Sequence, residues 1–251
     1  SIRAHKLRSF LTLLGIIIGV STVVAVASVI SGLNTYVREK VIQLSPDVFV
    51  VTKFGVITSR EGFLEALKRP DLTTRDFQKL ASTLTRAEAI AAEVGTQSAV
   101  KHADKRLADI QVHGCTANYA DLAGINLETG RWFAESDDQA SQAVAVIGWD
   151  VKTELFPQID SLGRTVLVGE VPFRVVGLIT QQGRTLGQSQ DNQVFVPLNT
   201  FRKTWGTRNS IDMLIKARGG VPGIEAATDE VRAVVRAMRH TPYRKPDPFG
   251  V

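Results

Sequence analysis

The residues able to do chemistry are few and scattered. His113 and Cys115 flank Gly114, and an i, i+2 spacing on a strand puts both side chains on one face. Such a pair offers a base beside a thiol, or two ligands of a metal, but two ligands do not complete a site and a buried cysteine commonly serves packing. Glu135, Asp137 and Asp138 follow Trp132 and Phe133, a set that reads as paired carboxylates for acid/base work or as a solvated acidic turn. The other histidines, His5, His102 and His240, share no helix face with one another or with His113. No GxxxxGK[ST] loop cradles a phosphate, no HExxH pair offers zinc ligands, and no GxSxG elbow presents a nucleophile. The expectation is therefore no catalytic, cofactor-binding or metal-binding residue in this chain.

Two polar stretches have readings of their own. Residues 181–192, QQGRTLGQSQDN, form a long loop that is either functional or merely mobile. Arg232, Arg236, Arg239, Arg244 and Lys245 make the C-terminal stretch basic. Cations there offset a helix dipole, with contact to a membrane surface as the alternative.

The elements that must hold these residues fall into two regimes. Residues 10–30, FLTLLGIIIGVSTVVAVASVI, carry no charge and no proline, and a helix of that length spans about 30 Å, the thickness of a bilayer core. Arg3, Lys6 and Arg8 precede it as a cytoplasmic anchor, which places the N-terminus inside. A cleaved signal peptide is the competing reading, with a small-x-small site at Ala25-Val26-Ala27. Against it, Leu33, Val37, Val41 and Leu44 prolong one apolar face until Ser45-Pro46, as a stalk would. Gly15 with Gly19, and Ser21 with Ala25, are small-x-x-x-small pairs that let a partner helix approach closely, although glycine is also simply common in such spans.

After Pro46 the pattern is that of an α+β domain. Residues 47–53 and 90–96 read as strands around a helix that starts at a Thr73/Asp76 capping box, with Leu72 and Phe77 as its hydrophobic staple: a β-α-β unit. Further strands are expected at 110–113, 143–147, 165–168, 173–179, 193–196 and 211–216, a short helix at 150–156, and a closing helix marked by Ile224, Thr228, Val231, Val235 and Met238. The expected division is 1–45 for flank, membrane helix and stalk, an α/β lobe from 46–105 and 206–251, and an inserted β-rich lobe from 106–205. With 251 residues the chain can bury a sizeable core. Its net charge is +5, of which Arg3, Lys6 and Arg8 supply three, and so balanced a remainder argues against a nucleic-acid partner. The single cysteine excludes an internal disulfide framework.

The ordered set of short words resembles one family, the permease subunits of MacB/FtsX-type ABC transporters, also called the type VII or mechanotransmission class. The matching words open with His5-Lys6-Leu7-Arg8-Ser9-Phe10-Leu11-Thr12 and Leu14-Gly15-Ile16-Ile17-Ile18-Gly19-Val20. Val112-His113-Gly114-Cys115-Thr116 with Tyr119, then Gly130-Arg131-Trp132-Phe133, Val144-Ala145-Val146-Ile147-Gly148, Leu155-Phe156, Gly163, Phe173-Arg174-Val175-Val176-Gly177 and Phe195-Val196-Pro197-Leu198 follow in family order. Cys115 and Asn118 depart from it, where the family commonly has an aliphatic residue and a proline or similar. The resemblance implies a piece of a permease: first span, stalk and MacB-like periplasmic core domain, in an inner membrane with the main domain periplasmic. It also implies a homodimer or permease pair, contact with membrane lipid, a possible periplasmic adaptor, and a separate or fused ATPase that binds the ATP and Mg. Two other classes stay open on the residues alone, a single-span extracytoplasmic binding or scaffold protein and a membrane-anchored envelope enzyme.

Overall fold

The computed structural model describes residues 10, 13–22, 24, 45–55, 60–185, 187–242 and 244–251. The chain divides into two units, Ser1–Gln43 and Leu44–Val251. In the first, Phe10, residues 13–22 and Val24 are helical, with Leu13, Ile16, Ile17, Ile18 and Val20 exposed. Thr22 Oγ1 donates to Ile18 O at 2.8 Å, which seats its hydroxyl on the helix itself. Among the described residues no helix is long and apolar enough to cross a membrane. The rest of the expected span, the anchor Arg3, Lys6 and Arg8, Ala25, and the stalk face Leu33, Val37, Val41 and Leu44 lie outside the described residues.

The second unit is α+β, a mixed nine-stranded sheet with helices packed on it. In chain order its elements are β1 (Val48–Val51), α1 (Arg60–Leu67), α2 (Thr74–Thr83), β2 (Ala87–His102), β3 (Lys105–Cys115), α3 (Tyr119–Ala123), β4 (Leu127–Gly130), α4 (Glu135–Gln139), β5 (Val144–Ile147) and α5 (Trp149–Leu155). Then come β6 (Thr165–Val168), β7 (Val171–Ile179), β8 (Arg184–Thr185), β9 (Gln188–Ser189), β10 (Gln193–Pro197), α6 (Leu198–Trp205), β11 (Asp212–Ala217) and α7 (Ile224–Met238).

The strand order is β1-β11-β2-β3-β10-β5-β7-β4. β1 and β2 each pair antiparallel with β11, so the expected β-α-β unit exists with a third strand inserted between its parallel members. β6 pairs with β7 on one side and with the end of β2, at Val100 and Lys101, on the other. That last pairing closes β2, β3, β10, β5, β7 and β6 into a ring, and Val100, Ile110, Val112, Val166, Val168, Phe173, Val175 and Val194 fill it as part of one core. β2 serves both halves: residues 87–93 pair with β11 and residues 93–102 with β3.

Local sequence explains most boundaries. Thr73 Oγ1 accepts the Asp76 N–H at 3.3 Å while Asp76 Oδ2 accepts the Thr73 N–H at 2.7 Å, the expected capping box. Leu72 is buried and Phe77 packs on the same core. β2 runs well past the expected 90–96, because Thr96, Gln97 and Ser98 are polar yet remain in register with β3 on a half-exposed face. Gly114 lets α6 lie directly on β3: a Cβ there would overlap Phe201.

Candidate functional site

β3 does place His113 and Cys115 on one face, but it separates their roles. His113 Nδ1 lies 2.7 Å from Glu93 Oε1 of β2, and its ring stacks on Phe195 at 4.9 Å between centroids. Cys115 is fully buried among Phe133, Val144, Val146, Ile179 and Phe195. That burial, then the nearby Glu93 and Asp138 carboxylates, pushes its thiol well above the usual range, so it stays protonated and inert. Tyr119 packs against the same cluster, and burial likewise drives its hydroxyl far above the usual phenol range. Glu93 is the partner that the sequence does not disclose. It stands opposite Cys115 on one side and opposite Asp212 of β11 on the other. Burial raises the Asp212 carboxyl, a hydrogen bond from the Thr52 hydroxyl opposes the rise, and the Glu93 charge adds to it. Among the described residues no group of three or more His, Cys, Asp or Glu is placed to hold a metal ion.

The acidic run is structural. Asp137 Oδ2 accepts the Ala134 N–H at 2.8 Å and an Arg131 guanidinium N–H at 2.7 Å, and the Arg131 hydrogen bond holds its carboxyl below the usual range. Asp138 turns the other way, accepting the Asn199 N–H at 2.7 Å and the Asn199 amide at 3.2 Å, so that α4 is tied to the first turn of α6. Burial raises the Asp138 carboxyl. Oppositely shifted neighbouring carboxylates can mark an acid/base pair, but here the hydrogen bonds they accept come from the protein's own frame.

The polar stretch 181–192 is an anchored hairpin of β8 and β9. Asp191, 2% exposed, accepts the Gln182 and Gly183 N–H groups at 2.8 Å each, and Ser189 Oγ donates to Asp150 Oδ2 at 2.5 Å. At the C-terminal end Arg236 sits in the last turn of α7, as the dipole reading expects, and the arginines also clamp the tail. Arg232 Nε and Arg236 Nη1 donate to Asp247 at 2.8 and 2.7 Å, and Arg239 donates to the carbonyls of Asp71 and Pro248. Folding the tail back over α7 brings Asp247 within reach, a tertiary contact that a helix-end argument cannot anticipate. It also lets Gly250 bridge Thr52 beside β1.

Among the described residues His113, Asp137 and Asp138 are hydrogen-bonded within the protein's own frame, and relationship carries the reading further. The sequence profile of the MacB-like periplasmic core domain matches residues 9–234. The chain belongs to that family. A MacB-like chain of this kind is 33% identical over 217 residues to the macrolide export ATP-binding/permease protein MacB 1/2 of Paracoccus denitrificans, covering 85% of this chain and 31% of the relative. It is 30% identical over 267 residues to the macrolide export ATP-binding/permease protein MacB of Neisseria meningitidis serogroup A, covering 96% of this chain and 40% of the relative. The chain therefore spans about a third of the length of these curated relatives. Its fold is that of the crystallised periplasmic region of MacB from Actinobacillus actinomycetemcomitans (TM-score 0.69, 19% identity, 84% of this chain and 90% of that one). The extracellular domain of the noncanonic ABC-type transporter YknZ from Gram-positive bacteria shares it too (TM-score 0.64, 17% identity, 81% and 98%).

Proposed function

We propose that the chain is a segment of an ABC-type export permease, in which the unit 44–251 moves on the outer face of an inner membrane in response to ATP hydrolysis inside. The observation that carries this reading is the family match over residues 9–234, together with the export ATP-binding/permease character of the similar proteins. In this reading residues 10–30 cross the membrane, with Arg3, Lys6 and Arg8 inside. The exposed apolar helix at residues 13–22 supports that role, since Leu13, Ile16, Ile17, Ile18 and Val20 are each 52–59% exposed and need lipid or a partner helix to cover them. Gly15 with Gly19, and Ser21 with Ala25 on a different face, offer small-residue surfaces on which a second span, from another copy or a paired permease, would pack. Gly15 and Gly19 are open, with nothing within 4 Å of where a Cβ would stand.

The lobes 46–105 with 206–251, and 106–205, form the moving body, and the ATP and Mg belong to a fused or separate ATPase. A helix from Leu7 to Leu44 would reach about 55 Å, long enough to carry a shift from the inner face to the sheet. A periplasmic adaptor would take up the motion on the far side.

The test is to purify the native full-length protein that carries this chain and to measure ATP hydrolysis in proteoliposomes. Mg-dependent hydrolysis by a fused or co-purifying ATPase is expected. A preparation with neither an ATPase domain nor an ATPase subunit overturns the reading.

A further inference from the structure

Between the start of α2 and the end of α6 lies a cavity of about 230 Å³ whose lining has an unusual composition. Val94 and Ile211 supply an apolar part, Thr73 and Asn209 are polar, and Arg75 and Arg202 bring two positive charges from different helices. Among the described residues no carboxylate lines it. Asp76, next to Arg75, is committed elsewhere: its Oδ2 receives the Thr73 N–H and hydroxyl at 2.7 and 2.9 Å and Arg239 Nη2 at 3.3 Å. Neither the Arg75 nor the Arg202 side chain has a hydrogen bond or ion pair among the described residues; Arg75 is exposed and Arg202 half-buried. Arg69, Arg131, Arg232 and Arg239 are engaged by carbonyls or carboxylates, whereas Arg106 and Arg208 also stand without a partner among the described residues but line no part of this cavity.

The helix end is not the attraction, because Thr73 and Asp76 already cap α2. The attraction is a pair of arginines, one from α2 and one from α6, in the lining of one partly apolar cavity. Each guanidinium fork can hold an oxyanion through paired N–H groups. A single carboxylate would leave one of the two charges unmatched, whereas a phosphate monoester brings close to two.

We propose that this cavity binds the phosphoryl group of a small phosphorylated ligand, with Arg75 and Arg202 as its ligating pair and Val94 and Ile211 against the group attached to the phosphate. The chemistry is shared by a soluble phosphate ester and by a lipid headgroup. The proposal is independent of the permease reading, since it rests on the lining of this cavity and not on any motion of the unit.

The experiment is isothermal titration of the full chain in detergent micelles, at constant ionic strength, with inorganic phosphate, glucose 6-phosphate and dihexanoyl phosphatidic acid in turn. Saturable one-site binding is expected, weakened at least tenfold by R75Q and by R202Q and unchanged by R208Q, which alters an arginine outside the lining. Tighter binding of glucose 6-phosphate than of phosphatidic acid assigns a soluble ester, and the reverse order assigns a headgroup. Either order upholds the site. No saturable binding of any of the three, or an equal loss in R208Q, overturns it. A melting temperature several degrees lower in R75Q or R202Q also overturns it, because side chains without protein partners should not hold the fold.

Discussion

Cys115 shows how burial overrides an apparently reactive neighbourhood. Its sulfur has a histidine two residues away, yet His113 spends its Nδ1 on Glu93, and the raised thiol leaves little thiolate at neutral pH. Native protein should therefore not react with Ellman's reagent over hours and should react within minutes once unfolded in guanidinium. Fast reaction of the folded chain would contradict the packing described. Asp137 makes the opposite use of its surroundings. Its folded carboxyl lies below the unfolded value, so the stability it contributes is fully present above the ordinary carboxylate range and is lost as pH falls through the folded value. D137N should cost about 1 to 2 kcal/mol at pH 7, and urea titrations should show that difference shrinking as the pH falls through the carboxylate range. A difference that stays constant with pH would assign the loss to packing instead. Glu93 and Asp212 illustrate what single residues conceal: neither is notable in the sequence, and only the β2–β11 register sets them face to face.

At the level of elements, the legible features were those written in adjacent residues. The Thr73/Asp76 box and the Leu72/Phe77 staple announce α2, and the apolar run Val144–Ile147 announces a strand whose four residues are all buried. T73A should cost about 1 kcal/mol. D76A should cost more, about 2 kcal/mol, since the same carboxylate also receives Arg239 at the end of α7. Equal losses in urea unfolding would show that the Arg239 contact contributes nothing. The short helices α3, α4 and α6 gave little periodic signal, having five to eight residues each. The polar middle of β2 hid its true length for the complementary reason, that its stability comes from β3 and not from its own side chains. G114A tests an interface that no propensity describes. Its Cβ would displace Phe201, so the substitution should cost about 1 to 3 kcal/mol in urea unfolding, clearly more than G95A, where a Cβ would meet only the Glu93 carboxylate at 3.5 Å.

For the molecule as a whole, the family match takes in most of one compact unit, Leu44–Val251, and the sheet lies within it. β1 begins at Val48 just after the boundary of the first unit, and the chain's last residues run antiparallel beside Thr52. Val48 and Gly250 therefore both lie at the β1 edge of the sheet. Hydrogen exchange should be slowest in β3, β10 and β5, which have paired neighbours on both sides, and fastest in the β8–β9 hairpin, which pairs only with itself. A closed ring that exchanged as fast as the hairpin would argue against β6 sealing it. The arginine cavity belongs to this scale as well, because Arg75 of α2 and Arg202 of α6, far apart in the sequence, line one cavity only in the folded unit. No local reading of either helix could have paired them.

The position of β1 in the sheet has one more consequence, for the birth of the protein. Among the described residues Val48-Phe49-Val50-Val51 finds its strand partner in Met213–Lys216, so a strand that emerges before the rest of this sheet is among the last to be satisfied. At synthesis rates of roughly 5 to 20 residues per second, it waits on the order of 10 to 30 seconds as a bare, adhesive edge. During that interval a nascent chain is most exposed to proteases and to its neighbours, and a holdase that shields those four residues would protect the whole unit.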